Sequence, residues 1–296
     1  MVEHRYLGLG DKTKLYLSDS DVRRLHEQRR VTQQNGLALL EHQFGRDPVP
    51  AHSRRQAHLY LLAEPIAGQP GMLLDLVHGP GAPQRLLDLA RHADAPGVQQ
   101  ALRAIGGGGF NPSLAWASDF ALRSAGAALT YGLNSDRSLS PAHGTSAEDA
   151  VELEVDEDGA LRIFMSRLRD SPPSADPEGG DQRLLPIAVV SYARQFVALT
   201  AAAAEHAGYF GNWILAAGAT GITGLPVHDY LLRGHAGPRY HAPDYQRASI
   251  ASYAELVRQP AAVTERLVGR LLRSLGVYEI YARALTDPSV PDQQLV

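Results

Sequence analysis

The sequence predicts an α+β fold: a mixed or antiparallel sheet with packing helices, preceded by an N-terminal hairpin and a linker helix. Three observations predict it. Val151-Glu-Leu-Glu-Val155 and Leu161-Arg-Ile-Phe-Met165 flank the turn Asp156-Glu-Asp-Gly159. They make an antiparallel hairpin in which Val151, Leu153 and Val155 face Leu161, Ile163 and Met165, leaving one wet face. Residues 186–206 are apolar on most sides over a helical length, which predicts a buried helix. Strand and helix patterns mix without the regular βαβ alternation of a parallel sheet, which puts the helices on one side.

In chain order, residues 4–17 read as two short strands around a Gly-rich turn. A lone hairpin is marginal in water, so this one calls for a partner sheet. Ser18 caps a helix with Asp19 and Asp21 in its first turn. Val22, Leu25, Leu37, Leu40 and Phe44 give that helix an apolar side, Asn35-Gly36 a weak middle, and Asp47-Pro-Val-Pro50 a stop. The stop is the main boundary and separates residues 1–47 from an α+β unit over 56–296. In that unit, residues 57–63 form an apolar strand ended by Pro65. Residues 83–105 carry one or two helices broken near Pro96-Gly97, residues 106–109 are a glycine joint, and residues 127–133 are a strand. Residues 170–183 are a loop by composition. Residues 212–223 read as a central strand. Helices over 243–258 and 260–275 close the unit, the second ended by Gly276.

Composition bounds the function classes. The 296 residues are 44% hydrophobic and 20% charged, which is globular and sufficient for a substantial core. No cysteine is present, so disulfides, thiolate zinc sites and Cys nucleophiles are excluded. The longest apolar stretch, residues 184–204, is interrupted by Ser191, Arg194, Gln195 and Thr200, so no membrane partner is expected. The first six residues lack a basic segment followed by an apolar one, and the expected location is the cytoplasm. The net charge of −4 confines any nucleic-acid site to a local patch or to a segment outside this chain.

Several motifs carry candidate chemistry. Gly218-Ala-Thr-Gly221-Ile-Thr-Gly224 has the glycine spacing of a dinucleotide loop and is similar to that of extended short-chain dehydrogenases. Pro226 follows at once, no helix opens there, and lysine occurs only at 12 and 14, so no Tyr-x-x-x-Lys pair follows. Glycine in a strand and turn is the plainer reading, and no cofactor is assigned. His228, Asp229, His235 and His241 fall within fourteen residues, at spacings that match no helical ligand pair, and no metal is assigned. No nucleophile elbow and no Walker loop occurs, so no catalytic residue is named. The acids Glu152, Glu154, Asp156, Glu157 and Asp158 fit the solvated outer face and turn of their hairpin. Arg5, Lys12, Lys14, Arg23, Arg24, Arg29 and Arg30 crowd the first thirty residues, diluted by Asp11, Asp19, Asp21 and Glu27. Arg5, Lys12, Lys14, Arg23 and Arg24 are the nucleic-acid-binding candidates. Arg266, Arg270 and Arg273 form a stripe opposite Val263, Leu267, Leu271 and Leu275, which reads as a solvated face.

The segment His4-Arg-Tyr-Leu-Gly-Leu-Gly-Asp-Lys-Thr-Lys-Leu-Tyr-Leu-Ser-Asp-Ser-Asp-Val-Arg-Arg-Leu25 resembles the end of the Schlafen-type AlbA_2 DNA-binding domain. That domain closes with an aromatic-rich strand, a Gly turn, a second strand and a Ser-Asp-led helix. Arg46-Asp-Pro-Val-Pro50, Gln56-Ala-His-Leu59, Ala207-Gly-Tyr-Phe-Gly-Asn-Trp213 and Val263-Thr-Glu-Arg-Leu-Val-Gly-Arg-Leu-Leu272 resemble bacterial proteins that carry the domain at their front. The resemblance implies that residues 1–47 are the domain's tail and linker helix, and that the domain body lies upstream of Met1. The acids of Schlafen-like nucleases sit in that body, so none carries over. The expectation is a non-enzymatic part of a nucleic-acid-binding or transcription-regulating protein. Its 56–296 unit would serve self-association, through the 186–206 helix layer, or small-ligand sensing. The alternative is an enzyme: a Schlafen-like nuclease component, or an NAD(P)-dependent reductase using Gly218, Gly221 and Gly224.

Overall fold

The structure is a computed structural model that describes residues 6–10, 13–50, 54, 56–105, 114–140, 149–170, 182–227 and 238–286. β1 (Tyr6–Gly10) pairs antiparallel with β2 (Thr13–Leu17). α1 (Asp19–Gly45) opens with a capping box, in which Ser18 Oγ accepts the Asp21 N–H and Asp21 accepts the Ser18 N–H. There follow β3 (His58–Pro65), α2 (Leu74–Val77), α3 (Ala82–Ala90) and α4 (Pro96–Arg103), with a tight 3₁₀ turn at Arg91–Asp94 before Pro96. β4 (Asp119–Arg123), β5 (Gly126–Tyr131), β6 (Val151–Asp156) and β7 (Leu161–Met165) come next, then the short pair β8 (Arg169–Asp170) and β9 (Arg183–Leu184). The chain continues through α5 (Pro186–His206), β10 (Asn212–Thr220), β11 (Tyr245–Ser252), α6 (Tyr253–Arg258), α7 (Pro260–Ser274) and α8 (Tyr278–Tyr281).

Seven strands make one antiparallel sheet in the order β11-β10-β3-β7-β6-β5-β4, so the fold is α+β. Alternation along the strands sets its two faces. Leu59, Leu61, Leu129, Leu153, Ile163, Leu215 and Ala217 share a core with α5 and α7. Each such buried leucine or isoleucine contributes about 1.5–3 kcal/mol relative to exposure. Tyr60, Leu62, Phe164, Ala216 and Ala248 point the other way and pack under the second half of α1. Helices therefore lie on both faces, where the sequence pattern placed them on one. Two glycines allow the close approach of α1. A Cβ on Gly36 would stand 2.8 Å from Ile214, and one on Gly218 would stand 2.6 Å from the Phe44 ring.

α5 has the length and hydropathy of a membrane span, but 83% of its apolar window is buried inside the chain. The face of α7 formed by Val263, Leu267, Leu271 and Leu275 is fully buried, as its spacing predicts. Two further expectations fail. Residues 243–258 are not one helix, because Tyr245–Ser252 is edge strand β11, registered on β10 from Ala219↔Tyr245 to Asn212↔Ser252. The helix starts only after Ser252, whose side chain forms a capping box with Glu255. The hairpin's outer face is not wet: Glu152 and Glu154 are 1% and 6% exposed. Residues 106–109 and 171–181, read as joint and loop, lie outside the described residues.

Candidate functional site

Three polar constellations and two cavities stand on this frame. The first is the N-terminal half of α1. Among the described residues of this helix nothing is fully buried before Gly36: Asp21, Val22, Thr32 and Gln33 are half-buried and the rest of residues 19–35 are exposed, over roughly 25 Å. Arg23, Arg24, Arg29 and Arg30 are all exposed there, as are Leu25 (47%) and Val31 (45%). Arg30 pairs with Glu27 at 2.8 Å and Arg24 lies 3.9 Å from Asp21. Arg23 and Arg29 form no ion pair among the described residues. Arg23, His26 and Arg30 recur at i, i+3, i+7, one exposed stripe. Hydrogen bonds from Ser18 hold the Asp21 carboxyl below its ordinary value. Of the other basic candidates, Arg5 and Lys12 lie outside the described residues, and Lys14 is placed by its backbone, opposite Leu9 in β2.

The second constellation was missed by the sequence reading. Asp47, just beyond α1, buries its side chain and collects donors around one carboxylate. His58 Nδ1 lies 2.7 Å from Oδ2, the Tyr60 hydroxyl donates to the same oxygen, Arg54 Nε approaches it at 3.1 Å, and the Val49 N–H donates to Oδ1 at 2.7 Å. Burial alone would raise this carboxyl, but the bonds from His58, Tyr60 and Val49 outweigh it and hold it below the usual range. Burial, then the Asp47 charge, pushes the Tyr60 phenol well above its usual value. The pair orients an imidazole as an acid–base dyad would. The His58 side chain is 0% exposed, however, and its Nε2 has no hydrogen-bond partner. The geometry fits a staple joining the end of α1 to β3.

The third covers the acids expected to be solvated. Arg123 donates to Glu152 Oε1 through Nε and Nη2 at 3.0 and 2.6 Å, and Arg137 donates to Oε2 at 2.9 and 2.7 Å. Glu154 lies 3.3 Å from Arg46 and 3.5 Å from Arg162, the residue registered opposite it on β7. Arg137 also donates to the Arg46 carbonyl at 2.8 Å, which ties the α1 terminus to the sheet. Its φ of +67° is a strained backbone for a non-glycine residue. The only local signal was Arg162 across from Glu154.

The glycine motif divides into two roles. Gly218 lies within β10 and makes room for α1. Gly221 and Gly224, at φ +69° and +74°, form the turn after it. The Gly224 N–H donates to the Tyr240 carbonyl at 2.7 Å, and the chain runs on to Pro226 and Val227 without a helix. Beside this turn Arg239, Tyr240, His241, Asp244, Gln246 and Arg270 line an open cavity of about 530 Å³. His228, Asp229 and His235 lie outside the described residues. On α7, Arg266 pairs with Glu255 at 2.7 Å and Arg273 with Glu265 at 2.6 Å. A second cavity, of about 390 Å³, opens between α4, α5 and α6.

Comparison with known proteins is silent: no family model, no curated protein and no solved structure matches this chain.

Proposed function

We propose that the chain is the non-enzymatic part of a cytoplasmic nucleic-acid-binding regulatory protein, with residues 19–31 of α1 touching the phosphate backbone and the sheet body holding that helix in place. The observation that carries the reading is the free-standing half of α1 with four exposed arginines. Over residues 1–35, seven Lys and Arg stand against five acids, in a chain whose net charge is −4. Guanidinium groups on an exposed helix suit phosphate oxygens, which take forked donors. The resemblance of residues 4–25 to the tail of an AlbA_2 domain points the same way.

Fluorescence anisotropy with labelled duplex DNA and duplex RNA, across 50–200 mM salt, tests it. The expected result is binding that weakens with salt. The slope of log K against log salt should fall in magnitude by about 1 for each phosphate contact removed in Arg23→Gln and Arg30→Gln. Binding that ignores salt, or that survives unchanged in the quadruple Arg→Gln variant at 23, 24, 29 and 30, contradicts the proposal.

Association between copies is a second reading, favoured by the exposed Leu25 and Val31 on the same free-standing helix. Light scattering would show a dimer that Leu25→Glu converts to monomer. A monomer in the unaltered chain removes this reading.

A further inference from the structure

The open cavity beside the Gly221–Gly224 turn points to a ligand, and what it suggests does not depend on the nucleic-acid reading. Its wall comes from residues 239–242 and Asp244 on the way into β11, from Gln246 of β11 and from Arg270 of α7. The first stretch is pinned to the turn. Arg239 forms a β-bridge with Pro226, the Tyr240 N–H donates to the Leu225 carbonyl at 3.4 Å, and the Gly224 N–H donates to the Tyr240 carbonyl at 2.7 Å. Arg239 Nη1 then reaches back to the Gly224 carbonyl at 2.7 Å. That bond orients the guanidinium and uses one of its five donors. The others make no hydrogen bond or ion pair among the described residues.

Arg270 differs from the other arginines of its helix. Arg266 is paired with Glu255 and Arg273 with Glu265. Arg270, one turn beyond Arg266, makes no hydrogen bond or ion pair among the described residues, and neither does His241 on the facing wall. Burial raises the phenols of Tyr240 and Tyr245, and the Arg270 charge lowers both, so the guanidinium stands against the wall of the cavity. Among the described residues one carboxylate lines the cavity, that of Asp244. Partial burial raises it, and the charge that opposes this is Arg54, outside the cavity, not Arg239 or Arg270. Two guanidiniums therefore face one cavity without a counter-charge from the chain. Their charge is +2, and a phosphate monoester carries about −1.5 to −2 near pH 7, with three acceptor oxygens for forked donors. A carboxylate would balance only one of them. The half-buried Gln246 adds an amide donor, and a volume of about 530 Å³ holds a phosphate together with a group the size of a sugar or a nucleoside.

We infer that this cavity binds a small phosphate monoester, its phosphate held between Arg239 and Arg270 and the rest of the molecule lying against Tyr240 and Gln246. Isothermal titration of the full chain with ribose 5-phosphate and adenosine 5′-monophosphate, against ribose and adenosine, tests it. The expected result is saturable one-to-one binding of at least one ester, with its phosphate-free partner at least tenfold weaker; the tighter ester tells a sugar phosphate from a nucleotide. Arg270→Gln changes an exposed side chain without a partner in the chain, so the melting temperature should be retained while the ester binds at least tenfold more weakly, the loss of one charge-assisted contact. Arg239→Gln should act in the same direction. The quadruple Arg→Gln variant at 23, 24, 29 and 30 should bind the ester as the unaltered chain does, which separates this site from the phosphate contacts proposed for α1. Failure of both esters to give saturable binding overturns the inference. So does an affinity unchanged in Arg270→Gln, a phosphate-free compound that binds as tightly as its ester, or loss of ester binding in the quadruple variant.

Discussion

Gly218 opens the glycine motif that resembles a dinucleotide loop, and its role is steric. A methyl group there would meet Phe44 at 2.6 Å and Leu40 at 2.8 Å. Overpacking of this kind costs about 1–3 kcal/mol. Gly218→Ala is therefore expected to lower stability by that amount in urea denaturation, with part regained in Gly218→Ala/Phe44→Leu. Asp47 gives a second test. Its carboxyl is held below the ordinary value, so the stabilisation is present above the unfolded carboxylate range and disappears as pH falls through the folded value. Asp47→Asn is expected to destabilise the fold by about 3–5 kcal/mol near neutral pH, because His58 and Arg54 lose their buried partner. The deficit relative to the unaltered chain should shrink as pH drops below about 4. The Asp47 cluster was not readable beforehand, because its members come from a loop and a strand that look unrelated until α1 is laid on the sheet.

Among the elements, the strongest periodic segments were readable. Pro186–His206 is one buried helix, and the 151–165 hairpin pairs Val151 with Met165 and Val155 with Leu161. β11 was not, because Tyr-Gln-Arg-Ala-Ser-Ile-Ala-Ser lacks the β-branched density of a strand and runs straight into a true helix. The Ser252-x-x-Glu255 capping box was the signal that would have split it. Ser252→Ala is expected to cost about 1 kcal/mol. The burial of Glu152 escaped notice for a different reason. Alternate acids on a hairpin usually face water, and the arginines that cover this one come from 29 and 15 residues away. Glu152→Gln leaves the Arg123 and Arg137 guanidiniums facing a neutral amide. The expected loss is about 3–5 kcal/mol in denaturation midpoint analysis, with a smaller loss if both arginines are also replaced.

Across the whole molecule, the sheet with its two helical faces forms a body from Gly36 onward, and residues 19–35 project from it. Deleting residues 1–32 should leave the melting temperature of the body within a few degrees, since no described side chain over residues 18–32 is buried. Deleting residues 1–45 should unfold the end of the sheet under α1, because Gly36, Leu40 and Phe44 then leave Ile214, Ala248 and Gly218 uncovered. The projecting half of α1 is also the surface that the nucleic-acid reading needs. Hydrogen-exchange footprinting of the full chain, with and without duplex nucleic acid at low salt, tests that most directly. The account predicts protection concentrated on residues 19–31, with the amides of β3, β7 and β10 unchanged. Protection confined to the body, or none at saturating nucleic acid, would contradict it.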